Sequence, residues 1–226
     1  MKRTRENKGS TYLCILKGIT LIAVLSTIVF FTSSAGASAE IVPVEEYYAL
    51  PWEVVDIQLA LNTTEPLGAI HLRIDYDPAV CNITSVTQQN GFDVLVANTE
   101  HSSEGWIEFI GYQTGAAGAG NTTFIFSTQA VGDYCTRTWL NVTVITMKNN
   151  SGSPMDYNVT NATFRIALKG DYSGDMDVDA WDSCYLARYL VGLSGYEEVC
   201  SGEVSGDGVL DAYDCLYLAR KLLGLI

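Results

Sequence analysis

The C-terminal segment from Asp171 to Ile226 contains one pattern twice, and this repeat constrains the fold more than any other feature. Asp171–Asp182 is followed by an apolar stretch that ends at Leu193, and Glu203–Asp214 is followed by one that ends at Leu225. Both acidic segments place carboxylate or hydroxyl side chains at positions 1, 3, 5, 9 and 12. This spacing of oxygen ligands is typical of a calcium loop. Two copies in the same register predict two units, each a loop followed by a helix.

The expected calcium ligands are side-chain oxygens, joined by a backbone carbonyl at position 7 and a bidentate carboxylate at position 12. They are Asp171, Ser173, Asp175, Asp177, Asp179 and Asp182 in the first loop, and Glu203, Ser205, Asp207, Val209, Asp211 and Asp214 in the second. We expect two Ca²⁺ ions, one in each loop. The alternative is a solvated acidic turn, in which the carboxylates would repel one another.

Each loop departs once from the usual pattern. Met176 stands at the sharp-turn position, where the second loop has Gly208 and where a positive φ costs glycine little. Glu203 opens the second loop with one methylene more than aspartate. We expect either change to lower calcium affinity. So short a segment holds little apolar surface, so bound metal should supply much of its folding free energy.

The N-terminal segment, residues 1–39, has the composition of an export signal. Basic residues near the N-terminus precede an apolar stretch, Ile19–Phe31, and small residues follow up to Ala39. We expect a signal peptide over residues 1–39, cleaved after Ala37 or Ala39. The alternative is an uncleaved anchor helix, although the apolar core is short for a span of ~20 residues. No other long apolar run occurs, so we expect no stable membrane span after cleavage.

The net charge of the chain argues against polyanionic partners. The whole chain carries a formal charge of −13, and the signal segment holds five basic residues and one acidic residue, so the remainder carries −17. Such an acidic surface repels nucleic acid and anionic lipid and suits metal cations. We therefore expect no nucleic-acid partner.

Cysteine usage agrees with an oxidising compartment. Cys14 belongs to the signal segment, which leaves five candidates for disulfides. In one arrangement two of them link within the first domain and two of the other three link within the repeat; the sequence leaves the pairing open. The candidates are Cys81 and Cys135 in the first domain, and Cys184, Cys200 and Cys215 in the repeat.

Seven Asn-x-Ser/Thr sequons precede the repeat and predict N-glycosylation of solvent-facing positions in an exported chain. Chance enrichment in a domain rich in Thr and Asn is the alternative. The acceptor residues are Asn62, Asn82, Asn121, Asn141, Asn149, Asn158 and Asn161.

Between residues 40 and 168 the apolar residues recur with period 2, as they do in β-strands. No convincing amphipathic helix interrupts them. A domain of this length and pattern predicts a two-sheet sandwich or jelly roll. The expected strands are Val55–Leu61, Ile70–Tyr76, Asn82–Val86, Trp106–Tyr112, Thr122–Thr128, Trp139–Met147 and Ala162–Leu168.

This β domain resembles a cohesin. The resemblance lies in Pro66–Val80, where a leucine-glycine pair leads through an alternating strand to Tyr76-Asp77-Pro78, and in the strand Ile83–Val86 that follows. Cellulose-binding sandwiches share the architecture and something of this passage. The resemblance implies a cohesin-like sandwich over residues 40–168 that binds a dockerin through a sheet face.

The segment 169–226 resembles a dockerin of the type I kind, because two loop-helix units are separated by a linker and position 12 is aspartate. The resemblance implies paired EF-hand-like calcium loops and a cohesin-bearing partner. The partner-contacting residues it implies are Ala180, Trp181 and Arg188 in the first unit, and Ala212, Tyr213 and Arg220 in the second. Alternatively, the two aromatic side chains cover the small core.

Catalytic motifs are missing from the sequence. The carboxylates Asp75, Asp77, Glu100, Glu104 and Glu108 show no spacing that singles out a glycosidase pair. There is no Gly-x-Ser-x-Gly elbow and no His-Glu-x-x-His motif. We therefore predict a protein that is not an enzyme; hydrolase activity on polysaccharide is a minor alternative.

The two resemblances together predict a secreted, non-catalytic adaptor at or outside the cell surface, which joins dockerin- and cohesin-bearing proteins in a calcium-dependent complex. A context in polysaccharide breakdown follows from the resemblance alone. Two further alternatives remain. The β domain is a carbohydrate-binding module anchored through the dockerin, with Trp52, Trp106, Tyr112 or Trp139 stacking on sugar, or the chain is a structural surface protein whose tail is rigidified by calcium.

Overall fold

Alternating apolar residues between 39 and 166 build two β-sheets that pack face to face. The computed structural model describes residues 39–43, 46–115 and 118–226. The first sheet has the order β10 (Tyr157–Val159), β1 (Ala39–Pro43), β3 (Val54–Thr63), β8 (Thr122–Ala130) and β5 (Cys81–Gln89). The second has the order β2 (Glu46–Ala49), β11 (Ala162–Ile166), β9 (Arg137–Asn149), β4 (Leu67–Asp75), β7 (Trp106–Tyr112) and β6 (Val94–Asn98).

The core lies between the sheets because every second side chain of the central strands points inward. On β4 these are Ile70, Leu72 and Ile74, each at most 4% exposed. Phe109 of β7 packs against Phe124 and Phe126 of β8, with ring centroids 4.8 and 5.5 Å apart. Contacts of this kind across the sandwich hold the two inner faces together.

The mainly β, two-sheet architecture is confirmed, and all seven expected strands are present within a few residues of their expected bounds. Four short strands were not predicted, namely β1, β2, β6 and β10. β1 pairs in parallel with β10, and β2 pairs in parallel with β11. The N-terminal strands therefore complete the sheet edges beside the last strands of the sandwich.

The tail, defined as residues 169–226, contains two helices, α1 (Ala180–Leu190) and α2 (Ala212–Leu222). Each begins with a capping box, formed by Asp179 and Asp182 in α1 and by the equivalent pair in α2. The small core of the tail consists of Tyr172, Leu186 and Leu218. So few buried side chains give the tail little independent hydrophobic stabilisation.

A disulfide between Cys135 and Cys200 joins the sandwich to the tail. Of the arrangements that the sequence leaves open, the one with a disulfide inside each part is therefore not formed. Cys81 is completely buried on β5 of the first sheet, whereas Cys135 lies in the turn that leads to β9 and faces the tail. Cys184 and Cys215 are both free, as is Cys81.

A hydrogen-bonded network forms a second contact between the sandwich and the tail. Arg165 Nε donates to Glu46 Oε1 at 3.0 Å, and Tyr48 Oη donates to Glu46 Oε2 at 2.6 Å. The backbone N–H of Gly202 in turn donates to Tyr48 Oη at 3.0 Å. Arg165 is nearly buried, so this ion pair is largely shielded from solvent screening. The sandwich and the tail are therefore in direct contact.

The signal-peptide prediction falls on residues outside the described ranges, with the exception of Ala39. That residue is the first of β1, is 1% exposed and pairs with Thr63. Within the described ranges, neither helix has the length and apolarity needed to cross a bilayer.

Candidate functional site

The two acidic loops of the tail share one hydrogen-bonding scheme. Asp182 Oδ1 accepts from the backbone N–H groups at loop positions 2 and 3, at 2.8 and 2.9 Å. Asp214 Oδ1 accepts from the same positions of its own loop at 2.9 and 3.0 Å. The second oxygen of each carboxylate accepts from the N–H at position 9. The sequence repeat is therefore also a repeat of three-dimensional structure.

The turn at loop position 6 is left-handed in both copies. Met176 has a φ of 72° and Gly208 has a φ of 80°. Glycine adopts this backbone without a steric penalty, whereas methionine does so at a cost. A sharp turn at this position brings the first and last residues of the loop together, as calcium loops of this length require.

Asp171, at position 1 of the first loop, is completely buried and accepts several hydrogen bonds. Its Oδ1 accepts from Gly174 N at 2.6 Å, and its Oδ2 accepts from Met176 N at 2.8 Å. The phenol of Tyr134, which belongs to the sandwich, also donates to Oδ2, at 2.6 Å. Glu203, its counterpart in the second loop, is half-buried and accepts from Gly206 N.

Burial shapes the electrostatics of the first loop. Desolvation raises the pKa of Asp182 above its ordinary value, while hydrogen bonds from the Asp179 and Ser173 N–H groups lower it in part, and the nearby Asp171 carboxylate raises it further. Two carboxylates held close together in a partly dry loop favour a compensating cation.

The loops offer oxygen ligands at the sequence positions of a calcium loop, and oxygen is the ligand type that a hard cation prefers. In the second loop, Ser205 Oγ at position 3 is buried and has no hydrogen-bond partner, which leaves a hydroxyl oxygen free to act as a ligand. Among the described residues no three His, Cys, Asp or Glu side chains converge to hold a metal by themselves. A calcium loop also draws on hydroxyl and backbone carbonyl oxygens. The exposed position-5 carboxylates, Asp175 and Asp207, instead accept backbone hydrogen bonds within their loops.

The residues implied to contact a partner lie at the start and middle of the two helices. Trp181 is 43% exposed and Tyr213 is 48% exposed, and neither belongs to the small tail core. Ala180, Ala212 and Arg220 are also exposed. Arg188 is half-buried, because its guanidinium lies over the rings of Trp181 and Tyr196, at 4.5 and 5.2 Å from their centroids. The two aromatic rings therefore do not cover the core, and they face outward.

The outer face of the second sheet carries a polar cluster on β4 and β7. His71 Nε2 lies 3.2 Å from Glu108 Oε2, and Arg73 pairs with Asp75 at 2.7 Å. His71 therefore belongs to a network of charged side chains on this face.

Trp106 is already covered by neighbouring side chains. The Arg73 guanidinium lies 4.2 Å from its ring centroid, and the His101 ring stacks on it at 4.0 Å. Two groups cannot occupy one face at these distances, so both faces of the indole are covered. The ring therefore offers no face to a sugar.

An exposed apolar patch lies beside this cluster on the same face. Val96 of β6 pairs with Ile110 of β7, and Tyr112 follows two residues later on the same face of β7. These side chains are 55%, 42% and 41% exposed. We call Val96, Ile110 and Tyr112 the β6–β7 patch. The three side chains form a small contiguous apolar patch on this face.

Exposed tryptophans elsewhere do not form a row. Trp52 is 70% exposed and hydrogen-bonds to the end of β8 in the first sheet, whereas Trp139 is 61% exposed on β9 of the second sheet. A planar platform for sugar rings needs aromatic side chains on one face, but Trp52 lies in the turn between β2 and β3 and Trp139 lies on β9. Among the described residues, these two tryptophans therefore do not form a shared platform.

The seven sequon asparagines all lie in the sandwich. Five are exposed, and Asn82 and Asn149 are half-buried. Asn82 Oδ1 is itself buried without a partner. The exposed acceptors are Asn62, Asn121, Asn141, Asn158 and Asn161.

Two tyrosines at the contact between sandwich and tail were not singled out by the sequence. Tyr134 contacts a loop 37 residues away, and Tyr48 contacts Gly202, 154 residues away. Neither has a local motif, because their roles depend on how the tail folds back onto the sandwich.

Comparisons with known proteins agree with the sandwich architecture. No protein-family model matches the chain, and no curated protein matches it. Among solved structures, a CaDoc0917–CaCohA2 complex matches with 13% identity and a TM-score of 0.50, over 56% of this chain and 97% of that chain. A non-cellulosomal cohesin from Archaeoglobus fulgidus matches with 16% identity and a TM-score of 0.49, over 58% and 93%. A Coh-OlpA–Doc918 complex from Clostridium thermocellum matches with 11% identity and a TM-score of 0.49, over 56% and 97%.

The matched share of the chain is close to the length of the β domain. At these identities the likeness concerns the fold alone, and the first of these structures supports it. The β domain of this chain thus has a cohesin-like fold.

Proposed function

We propose that this chain is a secreted, non-catalytic adaptor with two docking surfaces. The tail acts as a dockerin-like plug that is organised by two Ca²⁺ ions and binds a cohesin-bearing protein. The cohesin-like sandwich receives a dockerin-bearing protein. The observation that carries the proposal is the shared geometry of the two loops, in which the left-handed sixth residue and the buried twelfth carboxylate occur in both copies.

Calcium would act here by organising the loops rather than by chemistry. Asp182 and Asp214 hold the start of each helix against its loop through backbone N–H groups. A cation between the carboxylates would offset their mutual repulsion and fix the helix directions. The exposed aromatic residues Trp181 and Tyr213, which immediately precede these aspartates, would then take defined positions toward a partner.

The β6–β7 patch supports a second docking surface on the sandwich. It is apolar and bordered by the His71–Glu108 and Arg73–Asp75 pairs, an arrangement that resembles an apolar interface centre with a polar rim. The solved structure that supports the fold is a Doc–Coh complex, which motivates a dockerin as the occupant. Partners of this kind serve polysaccharide breakdown in the family that the chain resembles, and we extend that context to this chain as part of the proposal.

Capture of partners from the native extracellular fraction, with calcium and with chelator, tests the tail. The full chain should capture cohesin-bearing proteins in calcium and release them in chelator. Asp182→Ala combined with Asp214→Ala should abolish this capture. Asp177→Ala is the matched control, because position 7 is expected to contribute its backbone carbonyl alone and its side chain is exposed. Undiminished capture by the double variant would contradict a metal-built plug.

A separate pair of variants tests the sandwich surface. Ile110→Glu places a charge in the centre of the β6–β7 patch and should weaken capture of dockerin-bearing proteins by about 10-fold or more. Val54→Glu is the control, since Val54 is 57% exposed on a strand of the other sheet. Equal capture by both variants would place the docking surface elsewhere.

Binding to insoluble cellulose separates the adaptor from the carbohydrate-binding alternative. We expect the chain to remain in the supernatant, because its two most exposed tryptophans lie apart, Trp52 in the turn between β2 and β3 and Trp139 on β9. Retention on cellulose that is lost in Trp139→Ala would favour the alternative.

A further inference from the structure

A single turn of the sandwich contacts the first residue of the first acidic loop and is bonded to a residue shortly before the second loop. Tyr134 donates its phenolic hydrogen to Asp171 Oδ2 at 2.6 Å, and its phenolic oxygen accepts from Leu168 N at 3.0 Å. The next residue, Cys135, is bonded to Cys200, three residues before the second loop begins at Glu203. The phenol is therefore fixed at both its donor and its acceptor side.

The two loops differ in this respect although they agree in the rest of their hydrogen bonding. Asp171 receives a hydrogen bond from a sandwich side chain. Within the described part of the chain, Glu203 accepts from a backbone N–H of its own loop, that of Gly206, and no sandwich side chain donates to it. A sandwich side chain therefore hydrogen-bonds to Asp171, whereas Glu203 is hydrogen-bonded by the backbone of its own loop.

We propose that Tyr134 is a positioning residue for calcium in the first loop. Its phenol fixes the orientation of the Asp171 carboxylate, whose Oδ1 is turned toward Ser173 and Gly174 at the loop centre. Partners that orient a ligating carboxylate change metal affinity by about 10- to 100-fold when they are lost. The calcium affinity of the first loop therefore depends on a hydrogen bond from a sandwich side chain to its position-1 carboxylate, whereas Glu203 of the second loop accepts from its own backbone. This inference rests on the calcium loops of the proposed function.

The test follows the two loops separately in the intact, oxidised chain labelled with ¹⁵N-glycine. The amide signals of Gly174 and Gly206, at position 4 of their loops, report calcium binding to each site, and Gly111 in β7 reports the fold of the sandwich. In Tyr134→Phe we expect the calcium midpoint at Gly174 to rise by about 10-fold. The midpoint at Gly206 should stay unchanged. Tyr157→Phe is the control, since Tyr157 is 43% exposed on the edge strand β10.

Different outcomes would overturn the role of Tyr134 and the calcium binding on which it rests. If neither loop signal of the unaltered chain responds to millimolar calcium, the calcium loops are absent and the proposed function fails. If both respond but Tyr134→Phe leaves the Gly174 midpoint unchanged, or shifts both midpoints equally, the positioning role is overturned. If that variant disturbs Gly111, Tyr134→Met, which also lacks the hydroxyl but is flexible enough to adapt to the site, takes its place. A midpoint that rises at Gly174 and not at Gly206 then supports the inference, and unchanged or equally shifted midpoints overturn it.

Discussion

Met176 and Gly208 occupy the same place in the two loops and share a left-handed backbone, with φ values of 72° and 80°. Their agreement shows that the loop imposes this turn whichever residue occupies the position. The methionine side chain is 60% exposed, so its packing offsets little of the backbone strain. The first loop therefore carries a local cost that the second avoids.

Met176→Gly should stabilise the tail. Relief of the left-handed strain contributes ~1–2 kcal/mol, and the greater unfolded-state freedom of glycine offsets part of it, for a net gain of about 1 kcal/mol. Denaturant unfolding of the tail, followed through Trp181 fluorescence, measures the change. The converse variant, Gly208→Met, should destabilise the tail by a similar amount. A change of the same sign in both experiments, or a destabilising Met176→Gly, would contradict the strain argument.

Loss of the Cys135–Cys200 disulfide should strongly destabilise the attachment of the tail. The bond joins residues 65 positions apart, and closing a loop of that length restricts the unfolded chain by about 4 kcal/mol. Guanidinium unfolding of Cys135→Ser with Cys200→Ser measures the loss, and Cys184→Ser, at an exposed free thiol, is the control. Peptide mapping without reductant should recover the 135–200 link, and a link through Cys81 would refute the pairing.

Gly202→Ala should disrupt the contact between sandwich and tail. A β-carbon at Gly202 would lie 2.0 Å from Glu46 Oε2, and that carboxylate is held in place by Arg165 and Tyr48. We expect a loss of about 1–3 kcal/mol, as for overpacking at a filled site. Amide exchange in α2 and in β2 should rise together. Gly120→Ala is the control, because a β-carbon there meets nothing within 4 Å.

Alkaline pH should destabilise the sandwich reversibly, through deprotonation of buried side chains. Burial raises the pKa of the Cys81 thiol from 9.0 to about 12, and burial likewise raises the pKa of Tyr76 from 10.0 to about 12. The folded state keeps these protons to a higher pH than the unfolded state, so this stability is complete below pH 9 and is lost as the pH rises toward 12. Denaturant midpoints between pH 8 and 11, with recovery on return to pH 8, measure the effect. In Tyr76→Phe the denaturant midpoint should fall less steeply with rising pH, because one of the two titrating groups is removed.

The long central strands were predictable because burial on one face enforces period 2. β3, β4 and β8 show this alternation in both sequence and burial. The short strands were not predictable. β2 has no alternation, with three half-buried residues in succession, and β10 is three residues long. Such edge strands depend on their neighbours, β11 and β1, to define them.

In the candidate site, too, features set by neighbouring residues were predictable from the sequence, whereas contacts between distant residues were not. The loop positions, including the unusual Met176, follow from spacing within a single loop and were visible in the sequence. The partners of Asp171 and Gly202 in the sandwich come from residues 37 and 154 positions away. The disulfide likewise depends on where the tail folds back. No local pattern encodes such contacts, because they arise from tertiary packing.

The tail has two covalent attachments to the sandwich, the peptide bond from Leu168 to Lys169 and the disulfide at Cys200. Its orientation relative to the sandwich is therefore more restricted than that of a module on a flexible linker. If the two docking surfaces of the proposed function are both occupied, the angle between the two bound partners is restricted in the same way.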